Sequence, residues 1–513
     1  MLNKKSIVSN LCVIIIVTLN FSIAKDHLGK ELYRKYCLSC HGIDGKGDGK
    51  LSYLLYPKPR DFTRNLFKIK STQPGYPPTD DDLITTIKKG MPGTSMPSFN
   101  FLDSNELKDI VNYIKDLGNI NNKNSVLVEV PDEISQTDEL LKLGKTIYTE
   151  IGCNKCHGES GKGDGLSSNN LVDSWGYSII PRDFTSGLYL GGGQLQDLYL
   201  RFASGMDGTP MPSYGNISEM LGKPKEDENE LAWSLVHYVK SLETELSTEE
   251  INVPEDGKII ALSVNSSAID QLLDVSSSLW EKANSYSIPI SRLWQSDNIN
   301  YQTVEVQAAY SSKYIAIKLE WEDSSMDESL YRVQDFQDAA AIQFSLDGSM
   351  DFHGMGSRKH PTDIWFWKSE WQILKSADVD SDIEQVYLNR VSDSDIESYP
   401  EVFNDIAFLS GRDVGNINSK QKRNTSVENV TASGPETVTP LAENLQKVIG
   451  EGFWDGSKWR IVLVRELRPK SRHKVKFKKG GMVPVGFAVW DGNENDRNGQ
   501  KMVSTWYKLE LKD

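Results

Sequence analysis

Four of the five cysteines in this 513-residue chain stand in two matching frames, Cys37-Leu38-Ser39-Cys40-His41 and Cys153-Asn154-Lys155-Cys156-His157. Two thiols three positions apart can each add to one vinyl group of a single porphyrin, while the adjoining imidazole swings under the iron as an axial ligand. Other readings of these cysteines fit less well. In an oxidising compartment four cysteines would count as two disulfides, but neither a disulfide nor a redox pair needs the histidine that follows each pair. A structural zinc site takes four ligands, and no further cysteine exists to complete one; the fifth, Cys12, lies in an apolar N-terminal run. The spacing therefore predicts two covalently bound haem c groups, one on Cys37, Cys40 and His41, the other on Cys153, Cys156 and His157.

Around each frame the sequence repeats. Gly29-Lys30-Glu31-Leu32-Tyr33 precedes the first as Gly144-Lys145-Thr146-Ile147-Tyr148 precedes the second, and Gly-Lys-Gly-Asp-Gly follows at 45–49 and 161–165. Pro59-Arg60-Asp61-Phe62 is answered by Pro181-Arg182-Asp183-Phe184, and Gly93-Thr94-Ser95-Met96-Pro97-Ser98 by Gly208-Thr209-Pro210-Met211-Pro212-Ser213. The offsets are 153 − 37 = 116 for the cysteines and 211 − 96 = 115 for the methionines, so two homologous domains in tandem are expected. Each closes on a helical pattern: Leu107, Ile110, Val111, Ile114 and Leu117 behind Ser104 as a candidate N-cap, then Leu231, Leu235, Tyr238, Val239 and Leu242. This order of helix, Cys-x-x-Cys-His, glycine-rich loop, Met-Pro and terminal helix resembles the class I cytochrome c family over about residues 25–246. The resemblance implies two all-α domains, at 25–120 and 135–246. In that family a methionine thioether is the sixth iron ligand, which implies Met96 and Met211. Met91 and Met206, five residues earlier in each copy, stay open, since a buried methionine is more often packing than ligand. Arg60 and Arg182 suit haem propionates, or equally an ion pair with the adjoining aspartate.

The elements that must carry these groups follow from composition. With 57 Lys plus Arg against 72 Asp plus Glu, a net charge of −15 and 38% hydrophobic residues, the chain reads as globular protein of about three domains. The acidic balance argues against a nucleic-acid partner, which needs clustered Lys and Arg. Lys4 and Lys5, the apolar run Leu11–Leu19 and the small residues Ser22 and Ala24 predict a signal peptide over 1–24 and a periplasmic or otherwise exported protein. An uncleaved anchor is the alternative, though the run is short for a bilayer. The acidic stretch from Glu243 to Asp256, with Pro254, suits a linker. Beyond it Ile315, Ile317, Leu319 and Trp321 alternate with Ala316, Lys318 and Glu320, as do Val483, Val485, Phe487 and Val489 with their neighbours, and Asp-Gly steps break such runs. That pattern predicts an antiparallel β-sandwich over 258–513. Asp378–Glu443 is polar and predicts a long loop or insertion. Arg465, Arg468, Lys470, Arg472, Lys474, Lys476, Lys478 and Lys479 form a basic run, either a solvated hairpin or a docking surface.

Several phrases of this third region resemble the haem-b domain of the ethylbenzene dehydrogenase γ-subunit type, found with molybdenum enzymes of the type II dimethyl sulfoxide reductase family. They are Asp338-Ala339-Ala340-Ala341-Ile342-Gln343-Phe344, Met355-Gly356 leading to Ile364-Trp365-Phe366-Trp367-Lys368, Trp454-Asp455-Gly456 with Val464-Arg465-Glu466-Leu467, and Phe487-Ala488-Val489-Trp490-Asp491-Gly492 continuing to Lys501-Met502-Val503-Ser504. The resemblance departs in the polar insertion. It implies one non-covalent haem b with Met355 and Lys501 as axial ligands. Gly354 and Gly356 leave the thioether uncrowded, whereas a lysine amine, of pKa near ~10.4 in water, must lose a proton to ligate, which burial favours. Lys447, His353 and His360 are the alternatives.

The resemblance further implies an exported electron-transfer subunit of a molybdopterin oxidoreductase complex, nitrite oxidoreductase-like, relaying electrons between haem b and two c-type haems. Its partners would be iron-sulfur and molybdopterin subunits and a soluble or membrane cytochrome acceptor. No residue set for catalysis stands out, and six-coordinate His/Met iron has no vacant position for substrate. The competing reading is a stand-alone dihaem carrier whose sandwich is a ligand- or partner-binding module. An enzyme would require an open haem position.

Overall fold

A computed structural model describes residues 28–91, 94–187, 189–244, 252, 254–265, 269–292, 302–329, 334–350, 355–376, 424–434 and 436–512. The expected signal segment, His353 and residues 378–423 and 435 of the polar stretch lie outside the described residues. The chain divides into two compact units, one of residues 1–250 with 294–299 and one of 251–293 with 300–513.

In the first unit the sequence repeat is a structural repeat. The first copy holds α1 (28–36), α2 (Leu38–His41), α3 (Asp80–Lys89) and α4 (Ser104–Gly118). The second holds α5 (Asp138–Glu150), α6 (Asn154–His157), α7 (Leu195–Ser204), α8 (Ile217–Met220) and α9 (Glu228–Ser241). The glycine that leads into each cysteine frame has a packing role. A Cβ on Gly29 would lie 2.2 Å from the Asp109 carbonyl oxygen in α4, and one on Gly144 2.0 Å from that of Ser234 in α9, so only glycine lets each helix pair cross so closely. Beside each crossing two tyrosine rings meet, Tyr33 with Tyr113 at 5.2 Å and Tyr148 with Tyr238 at 5.3 Å. The expected stripe of α4 is buried at Leu107, Ile110, Val111 and Ile114. Its N-cap is Asp103 rather than Ser104: the Asp103 carboxylate accepts from the backbone amides of Asn105 and Glu106, and the Glu106 side chain returns to the Asp103 amide. A reciprocal capping box satisfies two end donors at once, which a lone serine cannot.

The second unit is β-rich. Its strands are β1 (Lys258–Ser263), β2 (Tyr286–Arg292), β3 (Gln302–Tyr310), β4 (Tyr314–Glu322), β5 (Ala339–Ser345), β6 (Thr362–Lys368), β7 (Val427–Ala432), β8 (Thr439–Pro440), β9 (Ile449–Trp454), β10 (Lys458–Glu466), β11 (Met482–Trp490), β12 (Met502–Val503) and β13 (Tyr507–Leu511). They pair in the order β8-β7-β6-β5-β11-β12-β2-β3-β4-β10-β9, with β13 beside β11 and β1 between β13 and β3. One hydrophobic cluster draws on strands from both ends of that order, including Ile317, Leu319 and Trp321 of β4 and Ile342, Trp365 and Val485 of β5, β6 and β11. β11 is buried on both faces, with Ala488 and Trp490 in a second cluster on the opposite side.

Three expectations need correction. The pairing is not antiparallel throughout: β1 runs parallel to both β13 and β3. Short alternating runs with tight turns predict hairpins between sequence neighbours, whereas β1 meets a strand at the far end of the unit. The polar stretch is not wholly insertion, because β7 within it pairs with β6. Its polar residues are buried with partners, Glu428 on Lys368 and Asn429 on Asp363, so composition hid the strand. Nor is the basic run uniformly solvated. Arg465 is fully buried, donating to Asp363 and to the Val475 carbonyl at 2.6 Å each, and buried Lys474 donates to the Leu445 carbonyl.

Candidate haem-binding sites

Each Cys-x-x-Cys-His frame is wound into a single helical turn, α2 or α6, with the first cysteine at its N-cap. The glycine-rich loop folds back on that turn. Gly47 and Gly49 donate their amides to the carbonyls of His41 and Cys40 at 2.9 and 3.1 Å, and Gly163 and Gly165 to those of His157 and Cys156 at 2.8 and 3.1 Å. A side chain at Gly49 would come within 2.4 Å of the Ser39 carbonyl oxygen, which explains the glycine there. Tyr33 and Tyr148 donate to the carbonyls of Gly42 and Gly158, both at 2.7 Å, closing the turn from behind.

The histidines are set in the same way. His41 Nδ1 lies 3.0 Å from the Arg60 carbonyl oxygen and His157 Nδ1 3.1 Å from that of Arg182. A carbonyl only accepts, so Nδ1 carries the proton and Nε2 keeps its lone pair for a metal. Phe62 stacks on His41 at 4.5 Å and Phe184 on His157 at 4.3 Å, fixing the ring planes. Burial lowers the His41 pKa to about 4 and lowers that of His157, so both imidazoles are neutral at pH 7, the form that ligates. None of the four cysteines is in a disulfide, and burial raises the thiol pKa of Cys37 and Cys153 to about 12.

The methionine segments form matching loops. The Met91 amide donates to the Met96 carbonyl at 3.0 Å and the Met96 amide to Thr94 Oγ1 at 3.1 Å; Met206, Met211 and Thr209 repeat the pattern at 3.2 and 3.2 Å. Each candidate methionine and its alternative thus occupy the two ends of one hydrogen-bonded loop. The two arginine readings separate less cleanly than expected. Arg60 does not simply pair with Asp61: its guanidinium lies 4.2 Å from the Trp175 ring centroid, and burial lowers its pKa to about 10.

In the second unit Met355 and Lys501 come together across 146 residues, the Lys501 ammonium donating to Met355 Sδ at 3.9 Å. β12, which bridges β11 and β2, starts immediately after Lys501 and fixes its position. The Met355 carbonyl accepts from the Gly434 amide at 2.9 Å. Gly356 has φ +73°, and a Cβ there would meet the His360 carbonyl oxygen at 2.5 Å, so the turn after Met355 requires glycine. Lys501 stands 4.6 Å from the Trp490 ring centroid, and burial lowers its pKa to about 8. Beneath the pair lies a sheet face paved by Ala339, Ala341, Ala432 and Ala488 with Ile364, Val430 and Trp490, against which Met355, Phe366 and Val503 pack. A thioether and a desolvated amine converging over small apolar residues are the donor set that a haem b with Met/Lys ligation requires. Of the alternatives, Lys447 is exposed, and His360 is held through Nδ1 by Asp347 at 2.5 Å, which leaves its Nε2 open. Sequence reading missed the alanine floor, although its signal, small residues two apart on β5, lay within a phrase already singled out.

Residues 27–118 match the cytochrome c family, and residues 277–502 match the ethylbenzene dehydrogenase family. The chain carries a cytochrome c domain and an ethylbenzene dehydrogenase domain. The cytochrome c domain is N-terminal, and the ethylbenzene dehydrogenase domain lies in the β-rich region that follows. Curated relatives point the same way. The chain is 23% identical to a putative respiratory nitrate reductase heme subunit of Haloferax mediterranei, over 47% of this chain and 68% of that protein. It is 25% identical to the dimethylsulfide dehydrogenase subunit gamma of Rhodovulum sulfidophilum, over 40% and 60%, and 22% identical to the chlorate reductase subunit gamma of Ideonella dechloratans, over 40% and 64%. The chain thus spans under two thirds of the length of the latter two relatives.

Proposed function

We propose that this protein is the electron-transfer subunit of a molybdopterin oxidoreductase complex, passing electrons between a haem b in the ethylbenzene dehydrogenase domain and two c-type haems. The observation that carries the reading is the meeting of Met355 and Lys501 in a chain that also holds two Cys-x-x-Cys-His turns. Bound haem supplies a one-electron iron couple. The residues that would hold it are Cys37, Cys40, Cys153 and Cys156 as attachment points, His41 with Met96 and His157 with Met211 as iron ligands in the repeats, and Met355 with Lys501 in the β-rich unit. With two protein ligands on each iron there would be no position for substrate, which favours conduction over catalysis.

The finer parts of the reading have separate support. The second repeat is a second cytochrome c domain, supported by its reproducing the histidine, tyrosine, glycine and methionine contacts of the first. The β-rich unit is a two-layer sandwich, supported by the single core shared between both ends of its strand order. Partner subunits are supported by the gamma-subunit relatives, while their being iron-sulfur and molybdopterin subunits, with a soluble or membrane cytochrome as acceptor, rests on the resemblance of the sequence phrases. A nitrite oxidoreductase-like complex and a periplasmic location rest on the sequence phrases and the N-terminal segment alone.

A pyridine haemochrome spectrum of the purified protein is expected to give two haem c and one haem b per chain. Lys501→Ala is expected to remove or alter the b-type band while both c-type haems persist. Haem c alone in the unaltered protein would leave the β-rich unit as a binding module and defeat the relay. Purification from the native organism with molybdenum and iron analysis tests the complex: a molybdenum-free preparation would favour a stand-alone carrier.

A further inference from the structure

The Met206–Met211 loop of the second repeat is held by the first repeat at two adjacent positions. The Asp207 carboxylate pairs at 2.6 Å with the Lys70 ammonium, which is fully buried and also donates to the carbonyls of Gln73 and Tyr76 at 3.2 and 3.0 Å. At Gly208 two stacked side chains lie against the backbone. A Cβ there would come within 2.7 Å of the Trp175 ring and 2.8 Å of the Arg60 guanidinium, so the approach requires glycine. The Arg60 guanidinium lies 4.2 Å from the Trp175 ring centroid, and the Ser174 amide donates to the Gly208 carbonyl at 3.0 Å. The Ser174-Trp175 step is itself tied to the first repeat, since Arg64 donates to the Ser174 carbonyl at 2.9 Å and the Trp175 indole to Asp61 at 3.4 Å.

Neither position has a counterpart in the sequence of the first repeat. At the offset of the methionines, 206 − 91 = 115, Pro92 stands where the second repeat has Asp207, and a proline carries no charge. Trp175 lies in added sequence. From the last glycine of the loop to Pro-Arg-Asp-Phe the first repeat takes 59 − 49 = 10 positions and the second 181 − 165 = 16. Asp173 turns the longer segment back on itself, its carboxylate accepting from the amides of Trp175 and Tyr177 at 2.9 and 3.0 Å. One exchanged position and one added segment thus act on the same loop, the one that carries Met211.

A thioether leaves its iron only when the loop that carries it moves. Opening the Met206–Met211 loop would take the carboxylate from buried Lys70 and part Gly208 from the Arg60 and Trp175 stack. A buried charge stripped of its partner is costly, so both contacts favour the closed loop. Resting on the reading that both repeats bind haem, we propose that Lys70, Arg60 and Trp175 are positioning residues for the second haem: the first repeat holds the Met206–Met211 loop closed and keeps its thioether on the iron.

The test is a titration of the oxidised full chain with imidazole, which competes with a thioether for iron. Its apparent affinity rises with the fraction of loops that are open. Lys70→Met lies in the first repeat, yet it should raise the imidazole affinity of the second haem about tenfold and leave that of the first unchanged. Trp175→Ala should raise it likewise, and Trp175→Phe, which keeps a ring over Arg60, should restore it. His41→Ala and His157→Ala identify which low-spin signal belongs to which repeat. A residue that only stabilises the fold would lower the melting temperature and move neither affinity. An unmoved second haem in either Lys70→Met or Trp175→Ala, or an equal rise at the first haem, would overturn the proposal alone. One covalent haem per chain by intact mass in the unaltered protein would overturn the two-haem reading and the proposal with it. If Lys70→Met loses haem, Asp207→Asn breaks the same pair from its partly exposed side and gives the same titration.

Discussion

In each repeat the proposed proximal iron chemistry occupies five consecutive residues, whereas in the ethylbenzene dehydrogenase domain the two converging donors come from positions 355 and 501. The first arrangement is local because covalent attachment needs two thiols and an imidazole on one turn of helix. The second exists only when β12 has docked between β11 and β2. A local site tolerates damage elsewhere, and a site assembled from distant strands reports on the whole sheet.

The largest expected effect breaks the local site. His41→Ala should abolish the low-spin haem signal of the first repeat and leave that of the second, and His157→Ala the reverse. Met96→Ala or Met211→Ala should keep the haem attached with an altered ligand-field spectrum; an unaltered spectrum would move that ligand to Met91 or Met206. Low-spin signals lost from both repeats in a single histidine variant would show that the sites are not independent.

Next comes the fold that assembles the distant site. Asp363→Ala leaves Arg465 buried without its carboxylate and removes the acceptor of the Val475 amide and of Asn429. Breaking a buried pair this way costs about 3–5 kcal/mol. Calorimetry should show the second unit melting earlier, with haem b binding weakened and both haem c bands intact. A normal b-type spectrum in a clearly destabilised variant would mean that the Met355 and Lys501 site does not depend on the sheet as a whole.

The smallest effect concerns pH. Asp323, Asp338 and Asp491 bring one carboxylate oxygen each within 4.8 Å of one another. Burial, then the charges of Asp338 and Asp491, raises the Asp323 pKa to about 8. The folded chain therefore keeps a proton there that the unfolded chain releases near 3.8, and the stability of the second unit falls as pH rises from about 4 to 8. Asp323→Asn should flatten that slope in thermal melts taken across the range. An unchanged slope would assign the pH response to other groups.

What was legible in the sequence divides along the same line. The cysteine frames, the glycine loops and the alternation of β4 were readable because each is a relation between near neighbours, and Ile315, Ile317, Leu319 and Trp321 are all buried as expected. β7 was not, because Glu428 and Asn429 read as solvent-facing until Lys368 and Asp363 are brought beside them by the fold. The basic run failed for the same reason. Arg465 and Lys474 find their acceptors in residues 102 and 29 positions away, which no local pattern records. Met355 and Lys501 were reached through family resemblance rather than spacing, since nothing near either residue marks it as a ligand.

The parallel pairing of β1 with β13 also sets an order in time. Lys258 pairs with Lys508, 508 − 258 = 250 residues later. At roughly 5–20 residues per second of synthesis, β1 waits on the order of 10–50 s for its partner, with an open edge exposed to other chains. Residues 1–250 of the first unit precede that interval, whereas Lys501 emerges only near its end. On the proposed reading the haem b site would then be the last to assemble, and a truncation that removes only β13 should leave the first unit folded and the remainder prone to aggregation.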